Sequence, residues 1–302
     1  MLESEILSRI AKRVSIPAGS PLKHGIGDDC AVYRPRGSAE DLLFTTDLLL
    51  EDVHFRRSTH QAEDVGHKAL ARGLSDIAAM GGSPRFCLLS LAVPKWADRR
   101  WIDGFYSGLL RLAGATGTLL AGGDLASAEK CACDVIVCGT VLKGTALMRS
   151  GARAGDSVYV SGRLGGSALG LDTGKGRAWK RHLLPEPRLA LGEFLRKRLR
   201  ATAAMDLSDG LSLDLHRMCV ASKVSAVIEP PPRFPGASIE QALHGGEDYE
   251  LLFTLRAESR PPAEFEGIPL TRIGTITKSG VHRVLLDGRA LAPLGYDHFR
   301  KS

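Results

Sequence analysis

Apolar residues along the chain recur in two rhythms, continuous runs of strand length and amphipathic stretches of helical spacing. Leu42–Leu50 is a strand-like run interrupted by Thr45-Thr46-Asp47. A helix follows, with Ser58 or Thr59 as its predicted N-cap and Gly81-Gly82 closing it before Pro84. Phe86–Val93 is apolar throughout and stopped by Pro94, the pattern of a buried strand. A second helix is predicted from Asp98, with Trp101, Phe105, Leu109 and Leu112 on one stripe. Thr118–Ala121 and Val135–Leu142 read as further strands. The polar, Gly-rich stretch 148–157 (RSGARAGDS after Met148) is a seam, and the pattern restarts at Val158–Val160. Beyond it come a Gly-rich helix start over 165–172, a charged helix over 186–200, a helix from Gly210 to about Ser222 and a strand at 224–228. The Pro-rich loop 230–236 and strands near 250–255, 271–276 and 281–286 complete the half. Alternating strands and helices predict an α/β or α+β protein. The seam predicts two domains, 1–148 and 149–302, with the boundary near 148–155.

Composition narrows the function classes. The 302 residues suffice for two domains of ordinary size, and the net charge of +6 is modest. Much of the basic excess falls in 175–200, where interspersed leucines make it read as a solvated helix face. No aromatic-interleaved basic patch points to nucleic acid. No apolar run approaches the ~18 residues of a membrane span. The start, MLESEILSRIAKRV, reads as a short amphipathic helix without the features of a signal peptide. Six cysteines sit mostly in apolar runs, as expected of reduced, buried thiols in the cytoplasm. Cys131 and Cys133 could chelate a soft metal, but no CxxC or His partner completes a zinc set.

Against this basic background, acidic residues stand at strand ends and turns in short Gly-rich or hydroxyl-rich phrases. These are GIGDDC (25–30), TTD (45–47), GGD (122–124), MDLSDG (205–210) and GGEDYE (245–250), with Asp76 on the first long helix. Oxygen donors beside small residues suit Mg²⁺, which prefers carboxylates and bridges to substrate phosphates. Each phrase also has a structural reading. Of Asp28 and Asp29, adjacent on the chain, one should face the site and the other solvent or a loop amide. TTD in a buried run costs free energy unless paired, by hydrogen bonds or by a metal. Asp76, four residues after Arg72, is either an i,i+4 partner or a metal ligand projected from the helix. The GGD glycines admit a close phosphate or a turn. Ser208 and the amides opening the helix at Gly210 form an anion site or a capped turn. Five such phrases together favour one shared acidic site. Neither a Walker A phrase nor a protein-kinase set occurs. Carboxylates and Mg²⁺ would therefore hold nucleotide phosphates, with Arg149 at the seam as a cationic contact or a linker arginine.

Taken in order, GIGDDCAV, LLFTTDLLLEDVHF, LSDIAAMGGSP, GGD, RSGARAGDSVYVSG, MDLSDGL and GGEDYELLF resemble the thiamine-monophosphate kinase family. The resemblance runs from about residue 24 to GYDHF at 295–299. It implies a two-domain fold like that of aminoimidazole ribonucleotide synthetase, dimerising through its N-terminal sheet. It implies ATP-dependent phosphorylation of thiamine monophosphate to thiamine diphosphate, with several Mg²⁺ ions and ATP as co-substrate. By the same resemblance Asp29, Thr45, Thr46, Asp47, Asp76, Asp124, Asp206 and Asp209 would be metal ligands. Tyr106, Gly123, Arg149 and Ser208 would contact ATP, and His54, Glu247 and Tyr296 thiamine monophosphate. Departures are Asp52, where Gly is expected, Arg72-Gly73 in place of an apolar-Asn pair, and a short linker around 171–182. No residue is assigned as a catalytic base, because the acceptor phosphate is already a dianion near neutral pH.

Rival expectations within the superfamily are weaker. A selenophosphate synthetase-like enzyme needs a reactive Cys near the N-terminus, and residues 1–24 contain none. A hydrogenase-maturation factor would end in Cys, whereas this sequence ends His298-Phe299-Arg300-Lys301-Ser302. A protein that only sequesters Mg²⁺–nucleotide would not need so many carboxylates.

Overall fold

The computed structural model describes residues 3–299. Its first part contains α1 (Glu3–Ala11), β1 (Leu22–His24), β2 (Ala31–Tyr33), β3 (Glu40–Leu50), α2 (Ala62–Ala79), β4 (Ser83–Pro94), α3 (Arg99–Thr116), β5 (Leu119–Ala128) and β6 (Ala132–Leu142). Its second contains β7 (Ser157–Ser161), α4 (Gly166–Thr173), α5 (Gly176–Leu183), α6 (Leu189–Phe194), β8 (Ala203–Asp206), α7 (Leu211–Ser222), β9 (Ser225–Ile228), α8 (Ile239–His244), β10 (Leu251–Leu255), β11 (Glu264–Phe265), β12 (Ile268–Thr277), β13 (Val284–Leu286) and β14 (Arg289–Ala290). The chain crosses from one sheet to the other between β6 and β7.

The first sheet has the order β1-β2-β3-β6-β4-β5. Its one parallel pair, β4 with β5, is joined through α3. Period-two alternation assigns the faces. On β3, Asp41, Leu43, Thr45 and Leu49 are buried, while Thr46 and Leu48 are exposed on the other face. The second sheet runs β14-β13-β9-β12-β7-β10-β8, with β11 paired to β12.

Helix α2 is the wall between the two sheets. Leu70, Leu74 and Ile77 pack in one core with Leu43 and Val137 of the first sheet. Ala78 and Ala79 pack in another with Leu191, Leu195, Tyr159 and Phe253. A helix buried on several sides carries no wide polar face, which accounts for its small-residue sequence. Gly66 and Gly108 let α2 and α3 cross closely. A Cβ on Gly66 would lie 1.9 Å from the Phe105 carbonyl oxygen, and one on Gly108 1.9 Å from that of Glu63.

Several expectations need correction. The α2 N-cap is Gln61, not Ser58 or Thr59, because the Asp64 carboxylate accepts from the Gln61 N–H at 3.2 Å. GGD does not end a strand: β5 continues through it to Ala128. The predicted charged helix over 186–200 is a short α6 followed by a π-helical turn, Leu195–Leu199. Nor is the basic stretch wholly solvated, since Arg181 and Arg188 both pair with the buried Glu250. All six cysteines are free and buried. Among the described residues no helix is long and apolar enough to cross a membrane.

Candidate active site

Where α2 meets the middle of β3 and the end of β8, three carboxylates converge. One oxygen each of Asp29, Asp76 and Asp206 lie within 4.8 Å of one another. Asp29 is the last residue of the GIGDD loop, Asp76 projects from α2, and Asp206 ends β8. Asp206 is 2 % exposed and accepts from the Ser75 hydroxyl at 2.6 Å. The Thr45 hydroxyl donates to Asp76. Burial, then Asp206, Asp47 and Asp29, push Asp76 well above the usual carboxylate range. Burial and Asp29 do the same to Asp206. Such a site stores like-charge repulsion that only a bound cation or protons can relieve. One buried oxygen of Asp29, Oδ2, has no hydrogen-bond partner among the described residues. An all-oxygen set with an orphaned buried acceptor fits a hard divalent cation such as Mg²⁺.

Cations already on the chain surround this centre. Arg149 donates to Asp29 at 2.6 Å. Its backbone N–H donates to both oxygens of Asp28 at 3.1 Å, so Asp28 takes the loop amide. Burial and the Asp29 charge raise Asp28 to about 7. Arg72 pairs with Asp47 at 2.6 Å rather than with Asp76, its i+4 neighbour. Arg217 pairs with Asp209 and Asp214.

At the other end of α2, Lys68 is fully buried and donates to Glu247 Oε2 at 2.8 Å and to the His54 carbonyl at 3.3 Å. Burial opposes the charge on Glu247, but Lys68 and then His182 lower its carboxyl to about 2. Glu247 sits at φ 63°, a left-handed conformation that costs a non-glycine residue free energy. The His54 Nδ1 accepts from the Leu50 N–H at 3.0 Å, and burial, then Arg72, lower it to about 3. His54 is therefore neutral at physiological pH. The Tyr296 ring meets His298 at 4.8 Å, and His298 meets His54 at 5.1 Å. Half of Tyr296 is exposed, and its backbone N–H donates to the Asp209 carbonyl at 2.9 Å.

The structure thus gathers Asp29, Thr45, Asp47, Asp76, Asp206 and Arg149 at one end, and His54, Glu247 and Tyr296 at the other. Asp209 and Ser208 border the second group, with the Ser208 carbonyl accepting from the Glu247 N–H at 2.7 Å. Four predicted residues are not gathered. The Thr46 side chain points to the opposite face of the sheet and donates to Asp134 at 2.5 Å, as strand alternation requires. Asp124 lies in register with Ser90, which is itself in register with Asp134, on that same face. Gly123 is demanded by its neighbour strand, since a Cβ there would stand 1.8 Å from the Leu89 carbonyl oxygen. Tyr106 packs edge-on against Phe105 on α3. Of the two readings of the start of α7, anion site or capped turn, the structure shows the capped turn: the amides of Asp209 and Gly210 both donate to Asp214 Oδ2, at 3.1 and 3.0 Å.

The acidic phrase GGEDYE divides its labour. Of its three acidic residues, Glu247 is the one paired with Lys68 at the site. Asp248 accepts from the amides of Gly165 and Ser167 at 2.5 and 3.1 Å, and Glu250 takes Arg181 and Arg188. Sequence reasoning missed Lys68, Ser75 and Arg217. The available signal for the first was its place on the apolar stripe of the helix, three residues from both Val65 and Ala71.

Comparison with known proteins agrees with this arrangement. The family model for the N-terminal domain of AIR synthase related protein matches residues 27–142. Thiamine-monophosphate kinase of Bacillus subtilis (strain 168) is 38 % identical, over 91 % of this chain and 93 % of its own. The chain belongs to the thiamine-monophosphate kinase family. Among solved structures of that family, the enzyme from Aquifex aeolicus is 33 % identical, with a TM-score of 0.80 over 96 % of this chain and 99 % of its own. A structure of AaThiL complexed with AMPPCP and TMP, also 33 % identical, superposes with a TM-score of 0.88 over 99 % of this chain and 97 % of its own. The likeness spans both sheets, so the shared fold includes the wall formed by α2.

Proposed function

We propose that the chain transfers the γ-phosphoryl group of ATP to the phosphate of thiamine monophosphate, giving thiamine diphosphate and ADP. The observation that carries this reading is the buried Asp29–Asp76–Asp206 centre, in a chain of this family. The relative complexed with AMPPCP, an ATP analogue, and TMP supports both substrates. An acceptor phosphate oxygen attacks the γ-phosphorus, the bond to the β–γ bridging oxygen breaks, and ADP leaves. The acceptor phosphate is mostly dianionic near pH 7, its second pKa being ~6, so no general base is needed.

The main obstacle is repulsion between two polyanions. Mg²⁺, when bound, would offset that charge on the phosphate oxygens. Asp29, Asp47, Asp76 and Asp206 would hold it, and Asp209, at the border with the Glu247 end and close enough to Asp47 to act on its charge, would join them. Thr45 and Ser75 orient two of these carboxylates. We assign Arg149 and Ser208 to the nucleotide. Glu247, kept anionic by Lys68, suits the cationic ring of thiamine, and Tyr296 offers a face for stacking. His54 contributes a neutral ring.

Purified protein with ATP, Mg²⁺ and thiamine monophosphate should yield thiamine diphosphate and ADP in equal amounts, and EDTA should stop both. ATP hydrolysis without thiamine diphosphate would refute the acceptor.

Thr46, Gly123, Tyr106 and Asp124 join this reading only through a second copy. We propose a homodimer through the face of the first sheet opposite α2. In support, β5 leaves Leu119 71 % exposed at the sheet edge, and by strand register Leu48 and Leu142 are exposed on the same face. Sedimentation should give twice the 32.4 kDa chain mass. A monomer that is fully active would remove the four residues from the site.

A further inference from the structure

Three residues one helical turn apart on α2 line the site from end to end. Lys68 holds Glu247, Arg72 holds Asp47, and Asp76 belongs to the carboxylate centre. At a rise of ~1.5 Å per residue the outer two Cα atoms stand ~12 Å apart, with Arg72 midway. The Arg72 guanidinium therefore sits at the junction between the Glu247–His54 end and the metal-ligand end.

Its bonding is incomplete. The side chain is 12 % exposed, one arm pairs with Asp47 at 2.6 Å, and another donates to the Leu48 carbonyl at a long 3.3 Å. Its Nε is buried and has no partner among the described residues. Arg217, by contrast, is held by two carboxylates, Asp209 and Asp214.

We propose that Arg72 binds the phosphate of the acceptor, and that it exchanges Asp47 for this phosphate when a divalent cation takes Asp47. The inference rests on the reading of thiamine monophosphate as acceptor and adds the residue that recognises its phosphate. A guanidinium presents several N–H donors in a plane that matches phosphate oxygens. With one donor unused and one ion pair to exchange, Arg72 can make such contacts without leaving a charge unpaired. Asp47 in turn is neutralised by Arg72 until a cation replaces it, so the site tolerates its carboxylates before metal arrives.

The test compares binding of thiamine monophosphate with that of thiamine, by calorimetry in Mg²⁺ without ATP. Wild type should prefer the phosphorylated ligand. Arg72→Met should lose about 10–100-fold of that preference, in line with a charge-assisted hydrogen bond, and leave thiamine binding unchanged. Arg72→Lys, which keeps charge but not the fork, should fall between the two. Mg²⁺ titration without either substrate should show tighter binding to Arg72→Met, because Asp47 is freed. Full preference retained in Arg72→Met, or in Arg72→Gln should the Met variant not fold, overturns the inference alone. A wild type that phosphorylates no thiamine monophosphate and does not bind it overturns the acceptor reading as well.

Discussion

Asp206→Asn should abolish phosphoryl transfer and, in EDTA at pH 8, raise the melting temperature. Asn keeps the shape and can still accept from Ser75, 2.6 Å away in the wild type. It removes a charge that burial and Asp29 disfavour. The sign follows from linkage. A carboxyl whose folded pKa lies above its unfolded value contributes its stability below the unfolded value, near pH 4. That contribution is lost as pH rises through the raised pKa. At pH 8 the metal-free wild type bears the penalty and the variant does not. Two such charges ~4–5 Å apart repel by about 3–4 kcal/mol at an effective dielectric of ~20. Because the wild type can partly protonate, the expected gain is about 1–2 kcal/mol, or ~2–8 °C at roughly 2–4 °C per kcal/mol. The difference should vanish near pH 4. Saturating Mg²⁺ should reverse the order, since only the wild type retains the full ligand set. Turnover should fall at least ~100-fold, the loss of about 2.7 kcal/mol of transition-state stabilisation. A variant that melts lower in EDTA at pH 8 would make Asp206 a structural group. One that turns over normally would place the chemistry elsewhere.

Lys68→Met should be the most destabilising single change near the site. Lys68 is fully buried, and its removal leaves Glu247 without its nearest cation, 2.8 Å away. Breaking a buried pair costs ~3–5 kcal/mol, and because Glu247 is 24 % exposed, about 2–4 kcal/mol is expected here. Acid should narrow the gap. The Glu247 carboxyl is held at about 2, so its contribution is present above pH 4.5 and lost as pH falls from there towards 2. Urea denaturation at pH 7 and at pH 3 measures both effects. Lys68→Met/Glu247→Gln should recover most of the stability, because no unpaired charge remains, yet bind thiamine monophosphate weakly. A double variant as unstable as the single would show that Lys68 acts by packing and not by its charge.

The residues show which properties were legible in one dimension. The runs Leu42–Leu50 and Phe86–Val93 lie within β3 and β4, and the stripe Trp101–Phe105–Leu109–Leu112 lies on α3, because their burial on one face is a local periodicity. The acidic phrases marked Asp29, Asp47, Asp76 and Asp206, since carboxylates in buried surroundings are conspicuous wherever they fall. The family was legible too, because its phrases are short and keep their order. Less legible were ends and caps. Gln61 outcompeted Ser58 and Thr59 as cap through Asp64, and β5 ran on through Gly122-Gly123, the second of which the close approach of β4 requires.

The amino-acid order by itself determined most of the longer strands, the two long helices, the family and the identity of the carboxylates, for these depend on local periodicity and local chemistry; the short β1, β2, β8, β11 and β14 came only with the structure. Pairing was decided only by the tertiary structure. It set Arg72 against Asp47 and not Asp76, Lys68 against Glu247 179 positions away, and Asp214 against the amides that would have made an anion site. It also turned Thr46 and Asp124 to the far face of the sheet. Which charge meets which depends on the direction of each side chain and on contacts between segments distant along the chain. In a buried site those contacts are strong because water is not there to screen them.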